Sequence, residues 1–319
     1  MRIFVTGATG FIGSVVVTEL IAAGYQVLGL CRSDKGAEAL AAAGADVHRG
    51  SLEDLDSLKE GAARSDGVIH AAFKHDWSKF AESCDMDRRA IEALGSVLRG
   101  SDRPLVVTGG LAVLTQGGAA TEDDPPLPVS AAYPRASEAT AAALQALGVN
   151  ASVIRLPQVH DRLKQGLVTY LVALAREKGV SAYIGDGLNR WAAVHVRDAA
   201  NLYRLVLEQR EAGARYHAVA EEGVPLRDIA QAIGQVLDVP VGPLSQEDAI
   251  THFGFLARFV GMDLQGSSTK TQDLLGWYPT GPGLIVDLKA LRHVDADADG
   301  ASPPLSRAAG RSTEIRRLP

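Results

Sequence analysis

The stretch Arg2-Ile3-Phe4-Val5-Thr6-Gly7-Ala8-Thr9-Gly10-Phe11-Ile12-Gly13 decides the fold. Ile3 to Val5 is a short apolar run, which predicts a buried strand. Three glycines follow at three-residue spacing, and a helical run over 14–23 closes on Gly24. Each glycine has its own reason in such a strand–turn–helix unit. Gly7 turns the chain sharply off the strand, Gly10 lets a pyrophosphate approach the backbone, and Gly13 lets the helix pack closely on the strand. The helix N-terminus adds free N–H groups and a partial positive charge. A tight turn without a ligand is the alternative; the position between a strand and a helix favours a dinucleotide.

The alternation continues. Apolar runs at Gln26–Cys31, Asp46–Arg49, 67–73, 104–108 and 151–156 predict strands, with helical periodicity over 35–43, 54–63, 84–98 and 137–147 between them. Residues 116–129 are rich in Gly, Pro and acids and read as loop. Strand–helix alternation predicts an α/β fold with a parallel sheet covered on both faces. Right-handed crossovers then give a doubly wound sheet. After Pro157 the rhythm changes to helices over 165–178, 199–208, 226–237 and 246–260, short strands at 180–184 and 215–219, and a turn-rich segment over 185–191. The expected organisation is a dinucleotide-binding domain over 1–157, a mixed α/β lobe over 158–294 that builds the substrate pocket, and a disordered tail over 295–319.

Bulk properties exclude several classes. The net charge of −6 offers no nucleic-acid-binding surface. Two cysteines, Cys31 and Cys84, make no disulfide framework. No signal peptide opens the chain and no apolar stretch reaches membrane-spanning length, so a cytoplasmic protein without membrane contact is expected.

The second strand ends at Arg32-Ser33, with Lys35 close by. An acidic residue there would accept from the 2′-hydroxyl of NAD; an arginine suits a 2′-phosphate, so NADP (NADPH) is expected in preference to NAD. A solvated loop arginine is the alternative. Ala71 and Ala72, small residues at the end of the 67–73 strand, leave room for a ligand in the crevice. His75 and Asp76 follow, with Trp77 and Phe80, as a charged and aromatic loop that either lines the active site or starts a helix capped by Asp76.

The words Thr6-Gly7-Ala8-Thr9-Gly10-Phe11-Ile12-Gly13 resemble the TGxxGxxG motif of extended short-chain dehydrogenases/reductases, a group that includes sugar-nucleotide epimerases and hydroxysteroid dehydrogenases. The resemblance covers roughly residues 1–290 and implies a Rossmann domain with a smaller C-terminal lobe. It implies that Gly7, Thr9, Gly10, Phe11, Ile12 and Gly13 form the cofactor turn, that the Ser51-Leu52 backbone meets the adenine, and that Pro157 touches the nicotinamide. Gln158 and His160 would then face substrate. It also implies pairing of two copies through helices near 84–98 and 135–147, a homodimer.

The acid–base trio of that family departs from its pattern here. Family members set a Tyr four residues before a Lys on one helical face, with an upstream Ser or Thr. By the flanking sequence the Lys position is filled by Arg135, the Tyr position by Ala131, and the Ser/Thr position by Gly110, with Thr108 two residues early. Tyr133 is displaced by two, yet Pro134 biases it toward an extended conformation from which it can reach the pocket. Arg135 can anchor ribose or substrate but cannot shuttle protons. His75 and His160 have suitable pKa values for proton transfer, and His195 is expected to pack or cap. The candidates around the reacting carbon are therefore Arg135, His160, Tyr133 and His75, and no metal site is expected. Three readings follow. The chain is an oxidoreductase moving a hydride between nicotinamide and a carbonyl or alcohol, imine or enone of a small-molecule substrate. It is a redox-neutral epimerase, dehydratase or cyclase with a bound cofactor. Or it is a non-catalytic NADP(H)-binding regulator, since fold does not fix function.

Overall fold

The computed structural model describes residues 1–111 and 118–291. The tail expected over 295–319 lies outside the described residues, as does the start of the loop expected over 116–129. The first half alternates strictly: β1 (Arg2–Thr6), α1 (Phe11–Ala22), β2 (Gln26–Cys31), α2 (Asp34–Ala42), β3 (Asp46–Arg49), α3 (Leu55–Ala63), β4 (Gly67–His70), α4 (Phe80–Leu98), β5 (Pro104–Gly110), α5 (Ser137–Ala146) and β6 (Asn150–Leu156). The second half holds β7 (Gln158–His160), α6 (Val168–Lys178), β8 (Ser181–Ile184), β9 (Arg190–His195), α7 (Val196–Gln209), β10 (Arg215–His217), β11 (Glu221–Pro225), α8 (Leu226–Leu237), β12 (Val241–Leu244), α9 (Gln246–Phe253), α10 (Ala257–Val260), α11 (Thr269–Leu275) and α12 (Leu284–Lys289).

Seven strands form one parallel sheet in the order β10-β6-β5-β4-β1-β2-β3. The order reverses between β1 and β4, and a doubly wound sheet opens its ligand crevice at that switch point, outside the strand C-termini. Successive residues of β1 serve opposite faces, as strand periodicity requires. Ile3 and Val5 join α1 and α7 in one core, while Phe4 packs with Leu58 of α3 and Ile91 of α4 in the other. These cores are built from fully buried aliphatic side chains, the main source of stabilisation in such a layered fold.

Residues 158–291 serve two structures. Strand β10 pairs with β6 and extends the main sheet, and Val196, Leu202 and Val206 of α7 pack in the α1 core. The remaining elements form a smaller lobe around Trp191, Ile229, Phe253 and Leu284, with a three-stranded sheet β11-β9-β7 and a pair β12-β8. The segment expected to be turn over 185–191 instead enters β9 at Arg190, because Trp191 is drawn into that core. The strand expected over 67–73 stops at His70. A short 3-10 turn (Trp77–Lys79) precedes α4, and the Asp76 carboxylate accepts from the Ser78 backbone N–H, so Asp76 is a cap.

Candidate functional site

At the switch point the glycine turn is packed to its limit. Gly7 has φ +70, and a Cβ on it would stand 2.8 Å from the Ala71 carbonyl oxygen. A Cβ on Gly13 would lie 2.0 Å from the Gly7 carbonyl oxygen, so helix and strand meet only because both residues lack side chains. Gly10 is exposed and caps α1 without any side chain accepting from the first turn. Thr9 is exposed, Phe11 and Ile12 are half-buried, and the first-turn N–H groups at this end of α1, which no side chain caps, fit a pyrophosphate. At the tip of β2, Arg32 is exposed and forms no ion pair among the described residues. Ser33 is committed elsewhere: its hydroxyl accepts from Gly36 N–H as the cap of α2. Ser51, Leu52, Ala71, Ala72 and Pro157 are all half-buried.

Beyond the glycine turn lies a connected polar system. Thr6 and His70 are paired across β1 and β4, and Thr6 Oγ1 is 2.9 Å from His70 Nδ1. His70 Nε2 is 3.1 Å from Asp87 Oδ1, and Ser137 Oγ donates to Asp87 Oδ2 at 2.5 Å. Arg135 Nε donates to Ser137 Oγ at 3.1 Å and Nη2 to the Thr108 carbonyl at 3.2 Å. The guanidinium lies over the Phe73 ring, 4.6 Å from its centroid, a cation–π contact. Burial opposes ionisation of Asp87, yet the hydrogen bond and charge of His70, then Arg135 and Ser137, hold its pKa below the ordinary value. Thr108 Oγ1 donates to the His70 carbonyl and pairs with the Tyr203 hydroxyl, so it points into the protein.

Tyr133 lies outside α5, in a turn whose backbone bonds to Ser130, and it is half-buried. Burial raises its pKa above 10.0, against the opposing charge of Arg135. Gly110, Leu127, Tyr133, Arg135 and Glu138 line one small pocket at the ends of β5 and α5. A second crevice, between α6 and α8, is lined by Leu171, Ala175, Ala230 and Ile233, with Ser181 and His252 as its polar members. His75 adjoins the first site: its ring sits 5.0 Å from Phe73. The residue is exposed, yet desolvation of the packed ring, and then the Arg135 charge, lower its pKa.

His160 is not gathered with these groups. It is fully buried, with Nδ1 at 2.8 Å from Asp287 Oδ2 and its ring 5.8 Å from His195. Desolvation lowers its pKa, partly offset by Asp287. Gln158 also points inward, its amide oxygen accepting from Leu167 N–H. His195 caps α7 by accepting from Arg197 N–H at 3.3 Å.

Two features were missed by sequence reasoning. One is the His70–Asp87–Ser137 chain, although Ser137 follows Tyr133 by four residues, the family's Tyr–Lys interval counted from Tyr133 instead of back from Arg135. The other is Arg155, fully buried and bonded to Glu138 through Nε at 3.0 Å and Nη2 at 2.6 Å. Arg155 also donates to the Thr121 and Asp124 carbonyls, which ties that loop to the pocket floor. A charge inside the apolar run Val153-Ile154-Arg155-Leu156 was the available signal. Among the described residues no cluster of His, Cys, Asp or Glu could hold a metal ion, and no helix is long and apolar enough to cross a membrane.

Comparison with known proteins gives the chain's family and matches its fold. The sequence model of the NAD dependent epimerase/dehydratase family matches residues 3–220. An uncharacterized protein of Schizosaccharomyces pombe is 50% identical over 289 residues, covering 90% of this chain and 98% of its own. The sterol-4-alpha-carboxylate 3-dehydrogenase (decarboxylating) of Dictyostelium discoideum is 28% identical over 242 residues, 71% of this chain and 73% of its own. Among solved structures, the UDP-glucose 4-epimerase of Thermus thermophilus in complex with NAD superposes with a TM-score of 0.70 at 21% identity, covering 91% of this chain and 97% of that one.

Proposed function

The chain belongs to the NAD dependent epimerase/dehydratase family, and from that premise we propose that it is an NADP-dependent oxidoreductase that reduces a carbonyl, imine or enone carbon of a small molecule. One observation carries the reading. A guanidinium fixed by Ser137 and Thr108 stands in the same pocket as a tyrosine whose phenol keeps its proton.

The glycine turn fits a dinucleotide, since Cβ atoms at Gly7 and Gly13 would collide with backbone. Gly7, Gly10 and Gly13 would hold the pyrophosphate, and exposed Arg32 the 2′-phosphate. When bound, the nicotinamide supplies hydride chemistry. Tyr133 then gives its phenolic proton to the oxygen or nitrogen that gains electrons, and solvent reprotonates the phenolate. Arg135 remains charged throughout and stabilises the developing negative charge. The Asp87 carboxylate, anchored by His70, holds Ser137, which in turn holds Arg135, so that the cation needs no reorganisation.

Burial raises the Tyr133 pKa, so the phenol holds its proton at neutral pH and enters the reaction as the donor. Fluorescence titration with NADPH and NADH, followed by a panel of ketones, imines and enones, tests the reading. Tight NADPH binding with substrate-dependent cofactor oxidation is expected. Tight binding without turnover across the panel would contradict it and leave a cofactor-binding regulator.

A further inference from the structure

One cation in the candidate site lacks a counter-charge. Arg135 lines its pocket together with Glu138, but that carboxylate is already taken. Arg155 grips both of its oxygens, through Nε at 3.0 Å and Nη2 at 2.6 Å, and Arg215 stands 3.8 Å away. Asp87 is likewise taken, by His70 and Ser137. Arg135 is left with two neutral acceptors, Ser137 Oγ and the Thr108 carbonyl, and forms no ion pair among the described residues. A half-buried guanidinium in that state is costly, because the loss of water around a charge is offset only by pairing. At His75 and Tyr133 alike, burial is the largest influence on the pKa and the Arg135 charge the next, as expected of a cation that no adjacent anion cancels.

The unused edge of the guanidinium has a direction. Nε and Nη2 each donate to a protein oxygen, whereas Nη1 donates to none among the described residues. A Cβ built on Gly110 would stand 3.9 Å from Nη1 and within 4 Å of nothing else described. Gly110 lines the same pocket as Tyr133 and Arg135. The Nη1 donors therefore border the space that a side chain at position 110 would have filled. Phe73 covers one face of the guanidinium, and an acceptor meets Nη1 along its N–H bonds, in the guanidinium plane. Leu127 and Val129 supply apolar walls.

Building on the reductase reading above, we propose that the substrate is a 2-oxo acid, whose carboxylate is the counter-ion of Arg135 and whose product is the 2-hydroxy acid. In that reading the guanidinium also meets the oxygen that gains charge. One free edge serves a carboxylate and a ketone oxygen together only when the two oxygens lie side by side on adjacent carbons, in the plane of the fork. The carbonyl carbon receives the hydride of NADPH, the C=O π pair moves to oxygen, and that oxygen takes the Tyr133 proton. The carboxylate is unchanged, NADP⁺ is released, and solvent reprotonates the phenolate.

Calorimetric titration of the NADP⁺-bound protein, which cannot reduce a ketone, tests this with three probes. Benzoylformate is the 2-oxo acid, its methyl ester keeps the ketone without the charge, and 3-benzoylpropionate carries its carboxylate two carbons further from the ketone. The wild type binds benzoylformate at least tenfold tighter than either of the others, the scale of a hydrogen bond to a charged group. Arg135→Gln abolishes the preference for acid over ester. Gly110→Ser sets a hydroxyl beside Nη1 and weakens the acid more than the ester. NADP⁺ affinity stays unchanged in both variants, which reports an intact fold and separates a substrate anion from a cofactor phosphate. Equal binding of acid and ester, equal binding of 3-benzoylpropionate, a preference that survives in Arg135→Gln, or loss of NADP⁺ affinity with Arg135 overturns the proposal. Acid-selective binding that depends on Arg135, without oxidation of NADPH when that cofactor is supplied, upholds the anion site and defeats the reductase reading. Turnover of ketones with binding indifferent to the carboxylate does the reverse.

Discussion

The Arg135 guanidinium lies 4.6 Å from the centroid of the Phe73 ring while its Nε donates to Ser137 Oγ at 3.1 Å. A planar fork is thus stacked on one side and pinned along its edge, an arrangement that lysine cannot reproduce. Arg135→Ala should lower kcat by about a hundredfold, as for loss of one preorganised charge-stabilising donor, with NADPH affinity changed by less than a few fold. Arg135→Lys should recover only part of the loss. Steady-state kinetics beside cofactor titration check this; a variant that loses NADPH binding in proportion would move Arg135 from the reacting carbon to the cofactor.

Tyr133 gives a second expectation. With the phenol pKa above 10.0, the protonated donor persists through neutral and mildly alkaline solution. Reductive kcat should be flat there and fall only beyond pH 10. Tyr133→Phe should cost about 10²–10⁴-fold, the usual scale of general acid catalysis, and should abolish the alkaline limb. An alkaline limb that survives in Tyr133→Phe belongs to another group.

The cofactor claim rests on Arg32, exposed at the tip of β2. Arg32→Ala should weaken NADPH at least tenfold more than NADH, since only the phosphate loses a charge-assisted partner. Equal loss for both cofactors would remove the phosphate assignment.

Gly13 tests the cradle itself. A methyl placed 2.0 Å from the Gly7 carbonyl oxygen must push α1 off β1. Gly13→Ala should destabilise the fold by about 1–3 kcal/mol, as overpacking does, and should abolish dinucleotide binding. Chemical denaturation and cofactor titration on one preparation read both effects.

Acid stability follows from the histidines. Desolvation lowers the pKa of His160 and His217, and desolvation followed by the Lys178 charge lowers His252 to about 4. Below the unfolded value near 6.5 the unfolded chain binds more protons than the folded one, so stability rises with pH in this window. Tm should therefore be level from pH 8 to 7 and fall steadily from pH 6.5 toward pH 4. A Tm that holds or rises on acidification through that range would be the opposite sign.

Much of the main sheet could be read directly from the chain, because β1 to β6 combine apolar runs with glycine and acidic punctuation that depends on neighbours in sequence. The smaller lobe was less legible. Strand β7 is three residues long and β12 contains Gly242 and Pro243; such segments become strands only through pairing with distant partners. The site divides in the same way. Arg135 and Tyr133 stood out beside a familiar motif, whereas Asp87 and Ser137 meet across 50 residues of sequence. His160 looked available for chemistry because its partner Asp287 lies 127 residues away.

The most direct test of the account follows the reducing equivalent itself. The protein is incubated with NADPH deuterated at the transferring carbon and with the ketone of the panel that it binds most tightly, and the recovered product is analysed by mass spectrometry. The account predicts one deuterium at the carbinol carbon of the alcohol with the wild type, and a rate at least a hundredfold lower with Tyr133→Phe, on the scale expected for a lost general acid. Unlabelled ketone recovered from a protein that binds both molecules would contradict it.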